Sequence, residues 1–172
     1  HVQSALPRQV QHGARLFLVG LGCRNDADRR RAHLGGPLAS VFMRERAQGI
    51  RCIVLFYPYL DLEHMRGQSP SRPPHPPAHV DSLVSRYSPA HLLTVAPANL
   101  PPIFLAMAGA DAIPRLNDSI ERFMQAAVAN RVEIDFALHR LGVHGFDQRN
   151  HDARTRDILE RAIAFVTRHL RN

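Results

Sequence analysis

The chain contains no lysine and no tryptophan. Its 22 basic residues are all arginine, set against 15 acidic ones, and the formal charge of +7 rests on that one residue type. Such uniformity reads as a bias of genomic composition rather than a surface built for a polyanion. A nucleic-acid interface would interleave a basic stripe with aromatic rings. Aromatics make up only 6% of the residues, and the single basic cluster, Arg29-Arg30-Arg31, has no aromatic neighbour. Nucleic acid is therefore not an expected partner. Cysteine is nearly absent too: Cys23 and Cys52 cannot make a disulfide framework, and Cys52, inside an apolar run, reads as a small core residue. No apolar run approaches the length of a membrane span and no secretory leader is recognisable, so the expected location is the cytoplasm. His64, His75 and His79 lack a carboxylate or thiol at metal-ligand spacing, and neither a metal nor another cofactor is expected. At 172 residues, the chain reads as one domain with one buried core.

What is present is concentrated in residues 101–147. Ile103 to Ala108 is a short apolar run fenced by Pro101-Pro102 and Gly109, which predicts a buried strand with Asp111 just past its tip. A helical segment follows, then a second strand at 132–139 and a turn that presents His144 between Val143 and Gly145. In a parallel α/β sheet, residues beyond the carboxyl ends of neighbouring strands converge on one crevice. Asp111 and His144 are therefore candidates to meet, and a carboxylate that orients a histidine is two thirds of a hydrolytic triad.

Pro-Pro-Ile-Phe-Leu-Ala-Met-Ala-Gly-Ala-Asp (101–111), followed by His-Gly-Phe (144–146), resembles the C-terminal half of the α/β-hydrolase fold. The similarity is to its esterase and lipase or kynurenine-formamidase-like branches. That resemblance implies an acid after the seventh strand, here Asp111, and a histidine after the eighth, here His144. It also implies an ester or amide as small-molecule substrate. Residues 50–57 and Tyr57-Pro58-Tyr59-Leu60-Asp61 are similar to the sixth strand and its Tyr-Pro-x-x-Asp signature. Asp61 reads as a turn-anchoring residue, since Asp111 has the better context.

The family places its nucleophile on a strained strand-to-helix turn, Gly-x-Ser-x-Gly. Residues 15–20 form an apolar strand leading into Gly20-Leu21-Gly22-Cys23-Arg24. In this register Gly22 stands where the family has serine, with Cys23 one position later. A thiolate beside Arg24 is one alternative nucleophile. If 21–32 is an insertion, His33-Leu34-Gly35-Gly36 aligns instead and puts His33 at the nucleophile position. Neither register supplies a serine, and Ser40 falls within the helix expected at 38–47.

The remaining helices are expected at 2–12, 82–87, from Ser88-Pro89 onward, at 117–130 with a cap at Asn117-Asp118-Ser119, and at 153–170. The last should bury Ile158, Leu159, Ala162, Ile163, Phe165 and Val166. The strand at 132–139 alternates apolar and polar residues and reads as a half-exposed sheet edge. Residues 63–80 are proline-rich and read as a loop or a reduced lid. About four parallel strands with flanking helices result, a partial α/β-hydrolase-like fold. The family's preceding strands have no counterpart here, which leaves residues 15–20 as a sheet edge open to homo-oligomer formation. Three readings stay open: a hydrolase with an unusual nucleophile, an inactive hydrolase-like binding domain, and a fragment of a longer hydrolase.

Overall fold

The computed structural model describes residues 50–66, 78–96 and 100–171, together with 15–19; for 15–19, 65–66 and 78–80 it describes the backbone alone. In chain order the elements are β1 (Arg15–Val19), β2 (Ile50–Phe56), α1 (Leu62–Arg66), α2 (Ala78–Tyr87), α3 (Pro89–Val95), β3 (Ile103–Ala108), α4 (Leu116–Ala129), β4 (Ile134–His139), α5 (Phe146–Arg149) and α6 (Ala153–Leu170). The expected helices at 2–12 and 38–47, and residues 67–77 of the proline-rich stretch, lie outside the described residues. Helix runs into both ends of that stretch, as α1 and the start of α2, where a loop was expected.

The four strands pair in parallel in the order β1-β2-β3-β4, so neighbours in space are neighbours in sequence. Parallel strands covered on both faces need side chains that tolerate burial on either side. β2 and β3 supply them: Cys52, Ile53, Val54, Leu55, Phe104, Leu105 and Ala106 are all fully buried. Both connections to β3 and β4 advance in the same direction across the sheet, and right-handed crossovers put their helices on one face. There α4 buries Leu116, Ile120, Phe123 and Ala127. α6 packs across β2, β3 and β4, its Phe165 ring 5.7 Å from that of Phe104.

Three local expectations are corrected. Asn117-Asp118-Ser119 does not cap α4: the cap position is Arg115, left-handed at φ 64° and making no side-chain cap bond. Asn117 donates instead to the Ala108 carbonyl (3.0 Å), and buried Ser119 accepts from the Leu60 N–H (3.2 Å) while donating to the Leu116 carbonyl (2.8 Å). On α6 the buried residues are Thr155, Ile158, Ala162 and Phe165, whereas Ile163 is 64% exposed. The face against the sheet is narrower than the apolar periodicity suggested. On β4 the alternation is inverted at its end, with Leu138 exposed and Ala137 and His139 buried.

β4 is an edge of the described sheet, as its half-exposed pattern predicted. Its outward carbonyls are met by arginines of α6. Arg154 donates to the Leu138 oxygen from Nε (3.0 Å) and Nη2 (2.9 Å), and Arg161 Nη2 donates to the Phe136 oxygen (3.0 Å). Each guanidinium also holds a carboxylate, Asp157 for Arg154 (2.6 Å) and Asp135 for Arg161 (3.1 Å).

Candidate active site

β2, β3 and β4 all end at the same side of the sheet. After β3 the chain turns at Gly109, where an added Cβ would lie 2.5 Å from the Arg140 carbonyl oxygen, so only glycine admits the approach of the β4 turn. The two turns are then sewn together by backbone bonds, Gly109 N–H to the His139 carbonyl and Ala110 N–H to the Gly142 carbonyl, both 2.9 Å. This brings the Asp111 loop against the His144 loop. Asp111 Oδ1 accepts from the Ile113 N–H at 2.9 Å, which fixes the carboxylate in a local turn. Asp111 Oδ2 then meets His144 Nδ1 at 2.7 Å, with the carboxylate side chain 0% and the histidine side chain 10% exposed. A carboxylate can only accept, so Nδ1 carries the proton and Nε2 holds the basic lone pair of the neutral ring.

His144 is held from behind by the residues that follow it. Gly145 sits at φ 80°, which directs Phe146 inward, and Phe146 is fully buried. Its ring centroid lies 5.0 Å from that of His139, 5.7 Å from Tyr57 and 5.9 Å from Phe56. The His-Gly-Phe stretch is thus a presented side chain, a left-handed turn and a plug. Tyr57, buried beside β2, lies 4.5 Å from the His144 ring and donates from its hydroxyl to Asp147 Oδ1 at 2.5 Å.

The second buried histidine was not singled out by sequence. His139 Nε2 faces Asp152 Oδ1 and Oδ2 (3.1 and 3.2 Å) and Thr155 Oγ1 (3.1 Å), so it takes the opposite tautomer from His144. Its Nδ1 is buried with no partner among the described residues. Asp152 caps α6 by accepting from the Thr155 N–H at 2.8 Å. That backbone bond foremost holds its carboxyl below the ordinary range; burial opposes the shift, and His139 reinforces it. A depressed carboxyl contributes stability above its unfolded value of about 3.9, and the contribution is lost as pH falls through the folded value. Asp152→Asn keeps a capping oxygen but removes the titration. Its melting temperature is expected to fall less than wild type's on going below pH 4, as scanning calorimetry would read.

Of the other sequence candidates, Asp61 anchors a turn: its Oδ1 accepts from the His64 N–H at 3.0 Å, at the start of α1. Burial raises the Cys52 thiol above its usual range, in keeping with a core residue. Gly22, Cys23, His33 and Ser40 lie outside the described residues. No group of metal-ligating side chains occurs among the described residues, and none of their helices is long and apolar enough to cross a membrane.

No protein-family model matches the chain, and no curated protein matches it. Solved structures do. Esterase 2 of the Planctomycetes species Thermogutta terrifontis is similar in its propionate-bound form, with TM-score 0.56 and 20% identity over 78% of this chain and 52% of that one. Its butyrate-bound form gives 0.54 and 21% over 78% and 53%, and its cyclosarin-phosphonylated form 0.55 and 22% over 78% and 51%. This chain spans about half the length of those esterase structures. At such identity the likeness is one of fold, and the fold is a hydrolase-like α/β fold built on a parallel sheet.

Proposed function

We propose that the chain carries the acid and histidine of a carboxylic ester or amide hydrolase, with His144 as general base and Asp111 as its orienting acid. The observation that supports this most is the 2.7 Å contact between buried Asp111 and His144 Nδ1 at the carboxyl end of the sheet. In this reading Nε2 takes a proton from the attacking oxygen or sulfur as it bonds to the carbonyl carbon. The resulting imidazolium is stabilised by Asp111 and returns the proton to the leaving alcohol or amine. The attacking group is water or the Cys23 thiol; Gly22 and His33 mark the other positions at which the family's nucleophile would stand. Thermogutta esterase 2 is seen with butyrate and with propionate bound, so short-chain acyl esters are the first substrates to try.

A second reading is favoured by one observation: Gly20-Leu21-Gly22-Cys23-Arg24 has no serine where the family's nucleophile stands. The chain is then an inactive hydrolase-like binding domain or part of a longer hydrolase. Turnover of p-nitrophenyl acetate separates the alternatives. A rate that survives Cys23→Ala and iodoacetamide but disappears in His144→Ala supports histidine as the base. A rate lost on either cysteine treatment makes Cys23 the attacking group, with His144 its base where His144→Ala loses the rate too, and a rate indifferent to all three makes the chain a binding domain. Self-association through the β1 edge belongs to the same proposal; sedimentation as a compact monomer at high micromolar concentration would speak against it.

A further inference from the structure

We infer that Tyr57 is a positioning residue for His144, holding the histidine loop with its ring and its hydroxyl together; this rests on the reading of His144 as the base. The first observation is backbone conformation. Tyr57 follows the last residue of β2 and stands at φ 39°, in the left-handed region that a side-chain-bearing residue seldom adopts. Such strain persists only where the surroundings over-determine it, and it clusters at working sites. An asparagine or glycine would sit there with less strain, so the tyrosine side chain has to offset the cost.

What it does there is visible in its contacts. The ring centroid lies 4.5 Å from the His144 imidazole at an interplanar angle of 59°. The hydroxyl donates to Asp147 Oδ1 at 2.5 Å, within the short range of a bond to an ionised acceptor. Meanwhile the Tyr57 N–H is bound to the Ala106 carbonyl at 2.7 Å, which continues the β2–β3 ladder and makes the support rigid. His144 and Asp147 flank Gly145-Phe146, so the one tyrosine grips the loop on both sides of its left-handed turn. Asp111 fixes the imidazole at Nδ1 in its plane, and the tyrosine ring stands against its face as a wall. The three neighbouring strands β2, β3 and β4 then each deliver one group: a wall, an acid and a base.

The test reads His144 directly and needs no turnover. In protein carrying 15N-histidine, the proton shared by His144 Nδ1 and Asp111 is followed by NMR, assigned by its loss in His144→Gln. Tyr57→Phe keeps the ring and removes the hydroxyl. It is expected to move the His144 ring-nitrogen shifts and to speed exchange of that proton about tenfold, the scale of losing one charge-assisted hydrogen bond. Asp147→Asn, on the rim of the loop, should reproduce the change, and the double variant should add little to either single one. Tyr57→Leu, which removes the ring, should shift the His144 carbon-bound protons further. Unchanged His144 signals in folded Tyr57→Phe and Asp147→Asn would overturn the inference while leaving the Asp111–His144 pair standing. A wild-type spectrum in which Asp111→Asn leaves the His144 signals untouched would overturn both.

Discussion

With His144 read as the base, replacing it by alanine is expected to lower the hydrolysis of p-nitrophenyl acetate by about 10²–10⁴-fold, the usual worth of a positioned general base. Asp111→Asn should approach the same loss. Asparagine keeps the shape of the side chain, but its amide can present either oxygen or nitrogen to Nδ1 and no longer enforces the proton there. The two substitutions should not add, because each removes the same function. His144→Ala also has a structural cost that must be separated from the chemistry. The Asp111 side chain is 0% exposed, and removing its partner strands a buried carboxylate, a change on the order of 3–5 kcal/mol. His144→Gln is the better probe. Its amide can still donate to Asp111 but cannot accept and return a proton, so a folded His144→Gln with the full loss isolates the base. Urea titration of each variant beside the rate assay distinguishes an unfolded protein from a disarmed one. A His144→Gln protein that retained the wild-type rate would remove His144 from the mechanism.

Phe146→Ala is expected to destabilise the fold by about 3–5 kcal/mol, the range for truncating a fully buried phenylalanine. Against a total of about 5–15 kcal/mol for a typical domain, this is a large share. The ring packs among Phe56, Tyr57 and His139, which come from β2, its end and β4. Those residues belong to strands two places apart in the sheet, so the cavity has little freedom to collapse. The same truncation unseats the turn that presents His144. Activity should therefore fall even at temperatures where the variant remains folded. Chemical denaturation with an unchanged slope and an earlier midpoint is the expected readout; a shift below 1 kcal/mol would show that the plug is dispensable.

The Asp111–His144 contact was legible because strand period and topology alone determine it. Two apolar runs ending in turns at 109–111 and 140–144, placed side by side in parallel, leave few other ways for their tips to meet. Cys52 in the core and Asp61 at a turn followed from equally local signals. Tyr57 was not legible as a partner of His144. It reads as the apolar end of a strand, and only its left-handed backbone and its reach to Asp147 reveal the role. His139 was missed for a related reason, since a histidine closing an alternating strand looks solvated, whereas the packing inverts that alternation and buries it. At α4, Asn117-Asp118-Ser119 had the composition of a cap, but Ser119 satisfies the Leu60 N–H and Asn117 the end of β3. Tertiary demand for those hydroxyl and amide groups outweighed the local one. The nucleophile stayed open for a different reason: no register of residues 20–36 places a serine where the family's motif requires it.

The arginines along β4 give the missing lysine a structural meaning. A carbonyl-lined outer strand is a template on which a foreign strand can pair, and so a point of entry for aggregation. Arg154 and Arg161 occupy that template by answering a backbone oxygen and a carboxylate with the same guanidinium. The planar fork of donors makes the double duty possible, and a lysine ammonium, compact and strongly hydrated, has no comparable geometry. Arginine-to-lysine exchange at these two positions would preserve every charge on the molecule while reopening a docking rail for misassembly. At this edge the shape of the cation counts as much as its sign.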